Sequence, residues 1–220
     1  MAISADFFVA MDIHQVSGAD VPLDAVNAGL RQAILDDQMR YSPSAQQAVA
    51  DNRAEGSSGV GIYETAPNRR FLSASTVVVS ALIPDEELYP YGNDGEGWIS
   101  TTLTVPTGTA VSLLSLFTDG SRGLRALARA DAAQAWKTNP CIHTPGFHNF
   151  VTARMWTHPT AGTFETFVLS PSGLTVGFPN GLLGPEDCGR IAVTVPYVTV
   201  RPYLSKEGKT LVAGVRAPRR

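Results

Sequence analysis

Cysteine is almost absent from this 220-residue chain, which carries only Cys141 and Cys188. Two isolated cysteines form neither a disulfide framework nor a paired Cys-x-x-Cys site, and they point to synthesis in a reducing compartment. Charge is scarce too. Asp, Glu, Lys and Arg make up 17% of residues, below the usual quarter or so, as expected for a surface partly covered by partners. No apolar run reaches the roughly 18–20 residues that cross a bilayer, so no membrane segment is expected. The opening MAISADFFVAMDIHQ has no basic region ahead of its short apolar run, which Asp6 and Asp12 bracket. It does not read as a signal peptide. Internal repeats and low-complexity tracts are missing as well.

Catalytic signatures are also lacking. Ser172, in SPSG, lies outside any G-x-S-x-G elbow, and no P-loop or G-x-G-x-x-G turn joins a strand to a helix. The glycine-rich GSSGVG precedes a β pattern and reads as a linker. The densest polar cluster is NPCIHTPGFHNF with THP after it, which gathers Cys141, His143, His148 and His158, with Cys188 downstream. Thiolate and imidazole groups of this kind hold zinc or pair as nucleophile and base. The spacing C-x-H-x4-H matches no standard zinc pattern. No catalytic residue, metal ligand or cofactor is assigned. Tyr89 and Tyr91 in a Pro/Gly loop, with Trp98, form an alternative surface on which a sugar would stack.

What charge there is falls unevenly along a chain of net −3. Residues 1–60 hold eight acids against three arginines, and from Arg201 onward six basic residues face Glu207 alone. Ends of opposite sign attract between neighbouring subunits. An acidic start also argues against gripping nucleic acid, leaving the RAPRR tail and a stripe of Arg122, Arg125 and Arg129 as the remaining contacts.

Residues 1–58 read as a helical arm. Leu23, Val26, Leu30 and Ile34 recur at helical spacing behind Asp20 and Pro22, and a second short helix starts at Ser42–Pro43. Such an arm needs the main body or another copy to pack on. Residues 59–220 read as β. Strands are expected in FLSASTVVVSALI, stopped by Pro84, and in WISTTLTVP, GTAVSLLSLFTDG, FHNFVTARMWTH, TFETFVLSP, GLTVGFP and KTLVAGVRAP. One helix, SRGLRALARADAAQAWKT, interrupts them, with Leu124, Leu127, Ala128 and Ala135 on one face and the arginine stripe on another. In RIAVTVPYVTVRPYL the apolar parity switches between Val195 and Val198, which a bulge near Pro196 would explain.

This predicts a mainly β fold, a jelly-roll-like antiparallel β-sandwich with a helical N-terminal arm and one inserted helix. The layout, with VTVPYV at 193–198, resembles viral jelly-roll capsid proteins of the picorna-like kind. The resemblance implies a non-enzymatic structural subunit of a virus particle, in the shell or an outer crown or cementing layer. It further implies location in the virion, with assembly in the host cytoplasm. The expected partners are copies of itself in a symmetric homo-oligomer and other capsid proteins, with little or no nucleic-acid contact and no membrane. The alternatives are a carbohydrate-binding β-sandwich using Tyr89, Tyr91 and Trp98, and a metal- or thiol-dependent enzyme built on Cys141, His143 and His148.

Overall fold

Proline and glycine decide where the strands of the first sheet run. The computed structural model describes residues 7–10, 22–54, 61–65, 71–88, 95–143 and 150–216. The β-branched run from Phe71 turns back on itself: β3 (Phe71–Ala74) pairs antiparallel with β4 (Val78–Leu88) across a turn in which Ser75 Oγ accepts from the Val78 amide at 3.1 Å. Pro84 does not stop this strand, contrary to expectation. It lies opposite Trp98 of β5 (Gly95–Thr104). On the other edge, β3 pairing ends at Leu82 and pairing with β2 (Gly61–Thr65) begins at Asp85. The missing proline N–H falls in the gap between those two partners, where no ladder bond is needed. A short β1 (Phe7–Ala10) joins β2 in parallel, completing a five-stranded sheet.

Alternation along β4 fixes what covers each face. Val79, Ala81 and Ile83 join Ile99 and Leu103 of β5 against Val26, Leu30 and Ile34 of α1 (Asp24–Ala54). The expected helical face is therefore the one buried. The expected second helix is a continuation of α1, which runs through Pro43.

Residues of opposite parity on β4 meet a second sheet. It consists of β6 (Phe167–Leu169), β7 (Leu174–Phe178) and β8 (Ile191–Val195) in antiparallel order. All of β7 is buried because both of its faces are covered. A buried hydroxyl pair joins the sheets: Ser80 Oγ lies 2.6 Å from Thr102 Oγ1 and accepts from the Leu169 amide at 2.9 Å. Ile191, Val193 and Val195 turn into the larger core with Leu124, Leu127 and Ala128 of α2 (Gly120–Thr138). The order of layers is α1, first sheet, second sheet, α2.

The mainly β expectation is corrected in part. Antiparallel pairing, the N-terminal helix and the inserted helix are present, but helical residues outnumber strand residues among those described. FHNFVTARMWTH contains α3 (Phe150–Thr157), followed by the short α4 (Ala161–Phe164). KTLVAGVRAP contributes to α6 (Lys206–Arg216), in which Leu211, Val212 and Val215 are buried at helical spacing. Most of GTAVSLLSLFTDG is irregular around a 3₁₀ turn at Leu114–Leu116. The parity switch is not a bulge. Strand β8 ends at Val195, and Pro196 starts the helical turn α5 (Tyr197–Val200). Tyr197 and Val200 are buried on one side of that turn while Val198 is 79% exposed. The Tyr197 hydroxyl donates to the Ser170 carbonyl at 2.9 Å.

Candidate functional site

Two polar assemblies stand out, one inside the sheet seam and one on the surface. In the first, strand register places Glu86 of β4 directly opposite Glu96 of β5. Like charges facing each other across a ladder repel. Arg190, just before β8 and with a side chain only 7% exposed, is wedged between them. Its Nη2 donates to Glu86 Oε1 at 2.8 Å, its Nη1 donates to the Asp85 carbonyl at 2.7 Å, and its Nε lies 3.6 Å from Glu96 Oε2. The guanidinium also sits 5.7 Å above the Trp98 ring, whose indole N–H donates to the Phe178 carbonyl at 3.2 Å. A Cβ at Gly97 would lie 2.8 Å from the buried Asp85 carboxylate, so only glycine leaves room for it. One guanidinium is shared by two glutamates and the Asp85 carbonyl, and the chemistry of the cluster is that of a clasp between sheets.

The second assembly lies along α2. The Asp119 side chain caps the helix by accepting from the Arg122 amide at 3.0 Å. From there Arg122, Arg125, Arg129 and Trp136 recur on one exposed face, with Lys137 beside the last. Trp136 is 61% exposed. The row spans nearly four turns, about 21 Å at 1.5 Å per residue. No salt bridge to these cations occurs among the described residues; Arg122 lies 5.9 Å over the Tyr203 ring, and Arg129 Nε donates to the Arg125 carbonyl. After the helix, the 3₁₀ turn Pro140–His143 folds back so that the His143 ring stacks on Trp136 at 4.1 Å. His143 Nε2 is 2.6 Å from the Trp136 carbonyl.

That turn is held by a disulfide between Cys141 and Cys188, which corrects the expectation of two isolated cysteines. A sulfur bonded to another sulfur is neither a thiolate nucleophile nor a zinc ligand, so the enzyme alternative loses its key atom. His143 is engaged with Trp136, and His158, just past the end of α3, lies 3.0 Å from Thr157 Oγ1. His148, Tyr89 and Tyr91 lie outside the described residues. Trp98 is half-buried and packs against Gly177 and Arg190 in the seam. Sequence reasoning missed Arg190 and Trp136. Trp136 was legible, since it continues the arginine stripe at helical phase.

Asp131 is the single carboxylate of α2 and is fully buried, with neither oxygen hydrogen-bonded among the described residues. Desolvation raises its pKa well above the ordinary carboxylate range. A raised folded-state value means that its contribution is fully present at acid pH and is lost as pH rises through that value. Asp131→Asn removes the titration. It is expected to raise Tm at pH 8 by about 2–4 °C, the shift that roughly 1 kcal/mol gives in a chain of this size, with less gain at pH 4. Calorimetry at the two pH values checks this; equal shifts would contradict it.

The chain matches no family model and no curated protein. Among solved structures it resembles a DUF3298-family member from Bacteroides fragilis, with a TM-score of 0.51 and 15% identity over 87% of this chain and 74% of that one. A DUF3298-family protein from Pseudomonas aeruginosa aligns with a TM-score of 0.47 and 9% identity over 67% of this chain and 63% of that one. The first likeness concerns the fold. It overturns the resemblance to viral jelly-roll capsid proteins, since the fold is shared with a bacterial protein of a different family. The shell, crown or cementing role, the virion location and the capsid partners fall with it. VTVPYV is a strand end leading into a helical turn.

Proposed function

We propose that this chain is a non-catalytic binding module that holds an anionic partner along the exposed face of α2, in an oxidising compartment. One observation carries the reading: Arg122, Arg125 and Arg129 line one exposed helix face whose single carboxylate, Asp131, is buried beneath it. On a chain of net charge −3, a cationic row of this kind concentrates positive potential on one side. Guanidinium groups suit paired hydrogen bonding to carboxylate, sulfate or phosphate oxygens. The disulfide supports an oxidising location, because such bonds persist where thiols are not kept reduced.

Titration with dextran sulfate by calorimetry tests the proposal. The wild-type chain is expected to bind, with affinity falling as salt screens the row. The triple variant Arg122→Ser, Arg125→Ser, Arg129→Ser is expected to bind at least about tenfold more weakly, with unchanged circular dichroism. Binding that is absent, or indifferent to the triple substitution, would refute it.

A further inference from the structure

We infer that the anionic partner is a linear acidic polysaccharide, with one sugar ring stacked on Trp136 and its acidic groups laid along Arg129, Arg125 and Arg122. This rests on the reading of α2 as the docking face. The exposed indole is held in place by its neighbours. His143 stacks on it at 4.1 Å, Nε2 of the same ring meets the Trp136 carbonyl, and the Cys141–Cys188 bond anchors the turn that carries the histidine. With 61% of Trp136 still exposed, the indole keeps open surface for a flat, weakly polar ligand. The apolar face of a pyranose ring is such a ligand, and its C–H groups meet the negative face of the π system.

Spacing and surroundings select among polyanions. Arg122 to Arg129 and Arg129 to Trp136 are equal steps of seven residues, about 10 Å each, close to the length of two sugar rings in an extended chain. A polyuronate, with an acidic group on every ring, would thus meet the row in register, because Arg125 falls inside the first step, about 4.5 Å from Arg122 and about 6 Å from Arg129 along the axis. An acidic protein would want an apolar interface core, and Trp136 is the only large apolar side chain exposed on α2. A lipid surface would want a broader apolar face to bury. Nucleic acid is disfavoured by the oxidising compartment that the disulfide indicates.

The test compares alginate oligosaccharides, neutral dextran oligosaccharides, poly-glutamate, a dT oligonucleotide and vesicles containing phosphatidylglycerol, on wild type and on Trp136→Ala and Trp136→Phe. Alginate is expected to bind most tightly. Trp136→Ala should weaken alginate roughly tenfold, by analogy with other aromatic stacking platforms, and Trp136→Phe should restore much of the loss. Poly-glutamate binding should be indifferent to both substitutions. If poly-glutamate, dT or vesicles bind as tightly as alginate, or Trp136→Ala leaves alginate unaffected, the glycan assignment is overturned while the anion-binding face stands. If none of the polyanions binds, both fail.

Discussion

Replacing Arg190 with alanine is expected to lower folding stability by about 2–3 kcal/mol, because a buried guanidinium and its charged hydrogen bonds are lost while the two carboxylates it joins stay partly in water. The reason lies in the register of β4 and β5. Glu86 and Glu96 face each other across the ladder, and Arg190 joins both while donating to the Asp85 carbonyl from the start of β8. Without the guanidinium, two carboxylates repel at close range and a buried carbonyl loses its donor. The first and second sheets also lose a clasp. Arg190→Lys should rescue little, because one ammonium cannot reproduce three directed contacts and the stacking over Trp98. Adding Glu86→Gln and Glu96→Gln to Arg190→Ala should recover part of the loss by removing the repulsion. Urea unfolding at pH 7 with an unchanged m-value measures all three. A loss below about 1 kcal/mol for Arg190→Ala would place the cluster among ordinary surface ion pairs.

The helical phase of Val26, Leu30 and Ile34, and the two faces of α2, were legible because apolar residues recur there over several turns. Strands β5 and β7 were legible from short apolar runs bounded by glycine and proline. The short helices misled because their β-branched residues imitate strands. In α5, Tyr197 and Val200 are buried three residues apart, but within so short a run that spacing cannot be told from a switch of strand face. Helix α6 did carry a local cue: Ser205 Oγ accepts from the Gly208 amide at 2.9 Å, a serine cap ahead of Lys206. Weighing that cap above the valines would have identified the helix. Tertiary packing outweighs propensity in both places.

The two polar assemblies differ in how far their parts lie apart in sequence. Arg190 meets Glu86 across 104 residues, and no local pattern announces a partner at that distance. Trp136 lies on the same helix as the arginines, so a helical projection of residues 120–138 shows the whole row.

Serine at both Cys141 and Cys188 is expected to remove about 2–4 kcal/mol of stability. The bond closes a segment of 47 residues, for which loop-closure entropy alone gives about 4 kcal/mol, and strain or residual structure in the unfolded chain reduces that figure. A typical domain has about 5–15 kcal/mol in total, so the loss is a large share. The consequence reaches the surface as well. Cys141 belongs to the turn that lays His143 on Trp136, and Cys188 belongs to the segment leading into Arg190. The double variant should therefore loosen the indole and weaken alginate more than poly-glutamate, even at temperatures where the protein is folded. Native protein from an oxidising host should show no reactive thiol until it is unfolded and reduced, and then two. Equal urea midpoints for the oxidised and double-serine proteins would show that the bond holds nothing in place. A full midpoint loss with unchanged alginate affinity would confine its role to the fold and leave Trp136 positioned by α2 alone.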